Sequence, residues 1–321
     1  MRITLFSRAA LGAALVAGWA PAADAQIYES VGIRAQGMAG AFVAVADDAT
    51  ATWWNPAGLA TGAYFSGVLE YDSLREPRRD GESTGLPPAA SHSGGVALSF
   101  PALGLSYYRL HISQLRPQNS TAAGPLDRQD QGVVGAGLPS FDIDQFGASV
   151  GQSLGDHLVV ASTLKLVHAQ SETHGDLDVG AMAALGVARF GFAVKNVTAP
   201  EFGSGAVAVA LDRQARAGAA LVFPGSGRTG RLTLALDADL VRTTTASGDE
   251  RHVAGGIEAW TAGRRLGLRG GLSANTVGDA RLVAAAGASI ALRPAMYLDG
   301  EAAGGSDQAR SGWGLALRVT F

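Results

Sequence analysis

Gly312-Trp313-Gly314-Leu315-Ala316-Leu317-Arg318-Val319-Thr320-Phe321 alternates without a break. Trp313, Leu315, Leu317, Val319 and Phe321 fall on one face; Gly312, Gly314, Ala316, Arg318 and Thr320 fall on the other. Period two is the repeat of a β-strand, and a strand with bulky apolar residues on one side and small or charged ones on the other lies between two different environments. Arg231 to Val241 repeats the pattern, with Leu232, Leu234, Leu236, Ala238 and Leu240 opposed by Thr233, Ala235, Asp237 and Asp239. It recurs in Leu158 to His168 around Lys165 and in Arg189 to Thr198 around Lys195.

Composition narrows what such strands can build. Of 321 residues, 47% are hydrophobic, only 17% are charged, 44 are Gly and none is Cys. Without Cys there is no disulfide framework, thiol nucleophile, Cys-ligated zinc or iron–sulfur cluster. A formal charge of −3 argues against a nucleic-acid-binding surface. Arg2 and Arg8 precede the uncharged Ala9 to Ala20 stretch, the segment closes on Ala23-Asp24-Ala25, and this order predicts a secretory signal peptide over residues 1–25. No later apolar run is long enough to span a bilayer as a helix. Membrane residence therefore requires a closed barrel, because lipid cannot satisfy an open sheet edge.

Alternating segments fall near residues 63–74, 93–100, 102–112, 141–153, 157–169, 174–187, 189–198, 211–223, 231–242, 251–260, 265–274, 281–292, 295–304 and 312–321. Fourteen is an even number, which brings both ends of the barrel to one side. The expected fold is all-β: a single transmembrane antiparallel β-barrel of about fourteen strands over residues 63–321. Tight turns at Pro101, Gly155-Asp156, Ala188-Arg189, Pro224 to Gly230, Ala262 to Arg264 and Arg293-Pro294 alternate with mostly longer connections. Short turns belong to the periplasmic side of outer-membrane barrels and long loops to the outside. Tyr64, Phe65, Phe100, Phe190, Phe223, Trp260, Tyr297 and Phe321 lie near the predicted periplasmic end, as an interfacial girdle requires. The competing soluble sandwich or propeller lacks a blade-like repeat. Localisation in the outer membrane of a Gram-negative-type bacterium follows, with outer-membrane lipid as the surrounding partner. Trp313 and the terminal Phe321 match the C-terminal signal read by barrel-assembly machinery.

Residues 26–62 do not alternate. Gly37 to Ala46 is a run of small residues, and Trp54-Asn55-Pro56-Ala57-Gly58-Leu59 is shaped for a turn. Pro56 fixes its own φ and biases Asn55 away from helix, while Gly58 permits a backbone that a β-carbon would penalise. A fourteen-stranded barrel is too wide for its own side chains to fill, so this segment is expected to be a short N-terminal hatch in the lumen. A periplasmic arm is the alternative use.

Arg34-Ala35-Gln36-Gly37-Met38-Ala39-Gly40-Ala41-Phe42-Val43-Ala44-Val45-Ala46-Asp47-Asp48, followed by Trp54 to Leu59, resembles the N-terminal signature of the FadL/PorV superfamily of outer-membrane proteins. Later segments look most like its PorV-like and TraF-like members. The resemblance implies a fourteen-stranded barrel and a hatch carrying Asn55-Pro56-Ala57. Its hatch residues here are Arg34, Gly37, Gly40, Asp47, Asp48, Trp54, Asn55, Pro56, Ala57 and Gly58. The superfamily's fatty acid transporters capture substrate in a hydrophobic groove on long outer loops. The longest loop here, Ser113 to Ser140, is rich in Gln, Asp, Arg, Pro and Gly, and shows no such groove.

Alternation turns Lys165, Lys195, Asp237, Asp239, Glu258, Arg269 and Arg318 inward. They are expected to form a luminal polar lattice that holds the hatch or selects a substrate, since Lys or Arg facing lipid at the midplane costs about 2–4 kcal/mol. Enzyme signals are weak. Gly147-Ala148-Ser149-Val150-Gly151 lies within a strand rather than an elbow, and Gly225 to Gly230 is not followed by a helix. His92 between Ser91 and Ser93 is the one formal candidate for a rim hydrolase. Neither the six His nor the acid pairs show a metal-ligand spacing, so no catalytic residue, metal or cofactor is expected. The expected function is transport of small hydrophobic or amphipathic molecules. The alternative is a non-transporting barrel component or docking platform of a secretion or conjugation apparatus.

Overall fold

A computed structural model describes residues 31–75, 90–112, 141–203, 209–225, 229–245, 248–307 and 310–321. The expected signal peptide, residues 26–30 of the expected hatch, the loop Ser113 to Ser140 and Ser226 to Arg228 lie outside the described residues.

Fourteen antiparallel strands close into one barrel. They are β1 (Ser66–Arg75), β2 (Ala90–Phe100), β3 (Leu103–Ile112), β4 (Phe141–Leu154), β5 (Leu158–Ala169), β6 (Glu172–Leu185) and β7 (Ala188–Lys195). The second half comprises β8 (Gln214–Phe223), β9 (Thr229–Asp239), β10 (His252–Thr261), β11 (Leu266–Asn275), β12 (Leu282–Arg293), β13 (Met296–Gly305) and β14 (Gly312–Thr320). Each strand pairs with its sequence neighbour, and β14 pairs with β1 from Ser66 opposite Thr320 to Leu74 opposite Gly312. Phe65 and Phe321 extend that seam with a reciprocal pair of backbone hydrogen bonds of 2.8 and 3.0 Å.

Strand edges differ from the alternation by up to three residues, at the larger differences with a local cause. Asn196, at φ 55°, ends β7 at Lys195 instead of residue 198. β8 begins at Gln214, because Val209–Ala210 pairs with Glu201–Phe202 in a separate small hairpin. A second small hairpin, Thr243–Thr245 with Gly248–Glu250, follows β9. Two tight turns use a proline followed by alanine: Ala102 and Ala295 take φ of 67° and 66° after Pro101 and Pro294, the left-handed second position of a type II turn.

The outer face is apolar along the wall. On β14 Trp313, Leu315 and Leu317 are exposed while Ala316 and Arg318 are buried; on β9 Leu234 and Leu236 are exposed while Thr233, Ala235 and Asp237 are buried. A closed barrel that turns its leucines outward and its charges inward is a membrane-spanning wall of the outer-membrane type. Phe65, Phe100 and Phe321 cluster at the short-turn end, with ring centroids 5.4 and 5.1 Å from Phe65. Two residues assigned to that girdle face the other way. Trp260 and Tyr297 are buried in the lumen and pack edge-on at 5.5 Å. Parity explains it: Trp260 is two residues from inward Glu258, and Tyr297 two from inward Asp299.

Candidate functional site

Residues 31–62 lie inside the barrel, and nearly every side chain from Val31 to Leu59 is buried. The segment is two short helices, α1 (Ile33–Gln36) and α2 (Ala51–Trp54), followed by a 3-10 turn at Pro56–Thr61. Inward glycines let its backbone lie against the wall. A β-carbon at Gly180 would meet Asn55 and Pro56, at Gly191 the Val43 carbonyl, at Gly256 or Gly271 Met38, and at Gly314 Ile33. Glycine abundance thus belongs partly to the plug–wall seam, a signal that alternation alone does not expose.

The first corner of the seam is charged. Arg34 donates through Nε and Nη2 to Glu258 of β10 at 2.7 and 2.6 Å, and through Nη1 to Asp47 at 2.5 Å and Asp48 at 3.1 Å. Arg231 of β9 reaches Asp47 at 2.7 Å. Burial pushes the Asp47 carboxyl up, but Arg34, Arg231 and Arg189 together hold it well below the usual carboxylate range. Arg34 is held above its ordinary value: burial opposes its charge, and Asp47 and Glu258 outweigh it. Asp48 also accepts from the Thr50 backbone and hydroxyl at 3.0 and 2.5 Å.

The second corner is neutral. Asn55 is extended, at φ −162°. Its Nδ2 donates to the carbonyls of Val43 at 2.9 Å and Ala181 of β6 at 3.1 Å, and its Oδ1 accepts from Ala57 N–H at 3.1 Å. Both donors and one acceptor position of a single amide are thus used to tie the plug to itself and to the wall. Gly58 does not adopt a left-handed conformation; it is required because a β-carbon would collide with the Ala46 carbonyl. Trp54 donates to the Val31 carbonyl at 2.9 Å and meets Phe42 edge-on. At Gly37 a β-carbon would strike Arg269, and Gly40, at φ 85°, offers its carbonyl to Arg216 at 3.4 Å.

The remaining lattice residues divide by task. Asp237 of β9 accepts from the N–H groups of Phe42 and Val43 at 2.8 and 2.7 Å. Lys195 stands 3.2 Å over the Trp53 ring. Lys165 bridges Asp176 and Asp178 at 2.7 and 2.6 Å and Asn196 at 2.8 Å, within the wall. Asp239 pairs with Arg216 at 2.6 Å. Arg318 pairs with Asp299 at 2.7 Å, and Arg269 lies between Glu258 and Asp299 at 3.8 and 3.5 Å. Sequence reasoning missed Glu70 and Asp72, although both share parity with buried Val68 between outward Leu69 and Tyr71. Glu70 accepts from the N–H groups of Gly32 and Ile33 at 2.8 and 3.1 Å, and Asp72 accepts from Gln36 at 2.9 Å. Trp313 lies on the outer wall beside Tyr71.

Among the described residues the nucleophile motif meets no base: Ser149 Oγ lies 2.7 Å from Thr163 Oγ1 beneath the plug. His92 contacts the Tyr71 hydroxyl at 2.9 Å, and the neighbouring Ser93 bonds to Asp72. Among the described residues no three His, Cys, Asp or Glu side chains converge as metal ligands.

A membrane barrel with an internal plug is thus the class defined by this geometry. No protein-family model matches the sequence, and no curated protein does. Solved structures do. The toluene transporter TbuX of Ralstonia pickettii superposes with a TM-score of 0.58 at 12% identity, covering 92% of this chain and 99% of that one. The monoaromatic hydrocarbon channel CymD gives 0.56 at 13% identity, covering 91% and 98%. A FadL homologue of Pseudomonas aeruginosa gives 0.54 at 11%, covering 92% and 98%. The likeness is one of fold, the FadL-like barrel, and does not bear on the leaning towards PorV-like and TraF-like members.

Proposed function

We propose that the protein is an outer-membrane channel for small hydrophobic or amphipathic molecules, with residues 31–62 as its hatch. The observation that carries this reading is the seam between plug and wall. Beside its apolar contacts it carries ion pairs and hydrogen bonds at both corners, and water can take over these polar groups when the plug shifts. The fold shared with a toluene transporter and a monoaromatic hydrocarbon channel points to the same ligand class. The test is uptake of labelled toluene and of a labelled long-chain fatty acid by cells whose own uptake barrels are deleted. Expression should raise uptake of at least one, and removal of residues 31–60 should raise ion conductance in planar bilayers. Uptake equal to the empty vector, with insertion verified, overturns the channel. A reproducible co-purifying partner would instead select a second reading, a non-transporting component of a secretion or conjugation apparatus.

A further inference from the structure

The periplasmic end of the lumen is lined by side chains that donate hydrogen bonds and find too few acceptors. Arg231 reaches Asp47 of the plug at 2.7 Å, and Arg189 of β7 stands 3.9 Å from the same oxygen, too far to bond. The other Asp47 oxygen is taken by Arg34. Arg264, in the turn between β10 and β11, lies 5.0 Å over the Trp260 ring, which Tyr297 meets edge-on. Among the described residues, Arg231 Nε and Nη2, Arg189 Nη1 and Trp260 Nε1 are buried without an acceptor. Asp47 is the one described carboxylate within ion-pair reach of Arg189 or Arg231. Both arginine side chains keep some exposure, 17% and 20%, through atoms other than these buried nitrogens.

We propose that Arg189, Arg231 and Arg264 form a binding site, open to the periplasm, for a small solute carrying a carboxylate. The plug's own Asp47 is the internal occupant. Its carboxylate shows which group the site accepts, since the planar two-oxygen group matches the guanidinium fork. Solute and Asp47 compete for Arg231, so occupancy removes one of the wall's holds on the plug. The site is independent of the channel reading, because binding is measured without transport.

The experiment is isothermal titration of the full-length protein in nanodiscs with benzoate, against sodium chloride at equal ionic strength. Inorganic phosphate forms a second arm. Saturable benzoate binding that chloride does not reproduce is expected. The double variant Arg189→Gln/Arg231→Gln should weaken it at least tenfold, and Asp47→Asn, which removes the competitor and no cation, should tighten it severalfold. Heat-modifiable gel migration verifies that each variant is a folded barrel. If the double variant fails to fold, the Asp47→Asn shift decides alone. Absence of saturable binding in the wild type, or an Asp47→Asn variant that binds no tighter, overturns the site. Phosphate binding more tightly than benzoate overturns the carboxylate assignment.

Discussion

The two corners that hold the plug work by different physics. At the Arg34 corner, one guanidinium is shared by three carboxylates, one of them contributed by the wall. At the Asn55 corner, one neutral amide reads two backbone carbonyls. Buried charges are costly to leave without partners, about 3–5 kcal/mol when one member of a pair is removed. A lost neutral hydrogen bond that orphans its partner costs about 1–3 kcal/mol. The charged corner therefore sets whether the plug stays, and the neutral one sets how accurately it sits.

Glu258→Ala is the strongest way to break that contrast. It leaves the Nε and Nη2 of Arg34 without their acceptor and Arg269 with Asp299 as its one carboxylate partner, so the plug's hold should fall by about 3–5 kcal/mol. Planar bilayers should show sustained open conductance; a channel as quiet as the wild type would place the hold elsewhere. Asn55→Ala should cost about 1–3 kcal/mol and give brief, intermittent openings in the same recording. Sustained opening there would erase the distinction between the corners. Gly180→Ala sharpens it from the wall side, because the added β-carbon displaces Asn55 and Pro56 without removing a polar group. Overpacking of this kind costs about 1–3 kcal/mol, and combining it with Asn55→Ala should cost less than the sum of the two single changes.

The smallest effect concerns acid. Because the folded Asp47 carboxyl titrates far below its unfolded value, its stabilisation is complete above about pH 4 and erodes only as pH falls towards the folded value. The stability difference between the wild type and Asp47→Asn, measured by chemical unfolding, should stay constant from pH 8 to pH 5. A difference that shrinks across that interval would mean that Arg34, Arg231 and Arg189 do not hold the carboxylate.

The barrel was legible because its signal is local. Most strands announce their faces within ten residues, and the lattice charges from Lys165 to Arg318 follow from the parity of their own strands. Trp260 and Tyr297 were misplaced only where closeness to a turn was weighed above parity. The seam was not legible in the same way. Arg34 and Glu258 are 224 residues apart and Phe42 and Asp237 195 apart, and no period links a plug residue to its strand. Arg216 escaped notice because it sits among alanines and a glycine that barely alternate in hydropathy.

Closure by β1 and β14 has a consequence for the order of events in assembly. Phe65 and Phe321 bond to each other from opposite ends of the barrel sequence, so the seam cannot form until the remaining strands exist. Residues 31–62 come earlier in the chain than every strand, yet they touch walls from β1 to β14. The plug is made before every strand of the barrel, and its partners on β14 are made last. It must either be enclosed as the sheet curls shut or enter afterwards through the periplasmic mouth, past the arginines that meet Asp47. The barrel thus closes around its own leading segment, and the ring imposes on folding a sequence of steps that a linear chain of strands would not.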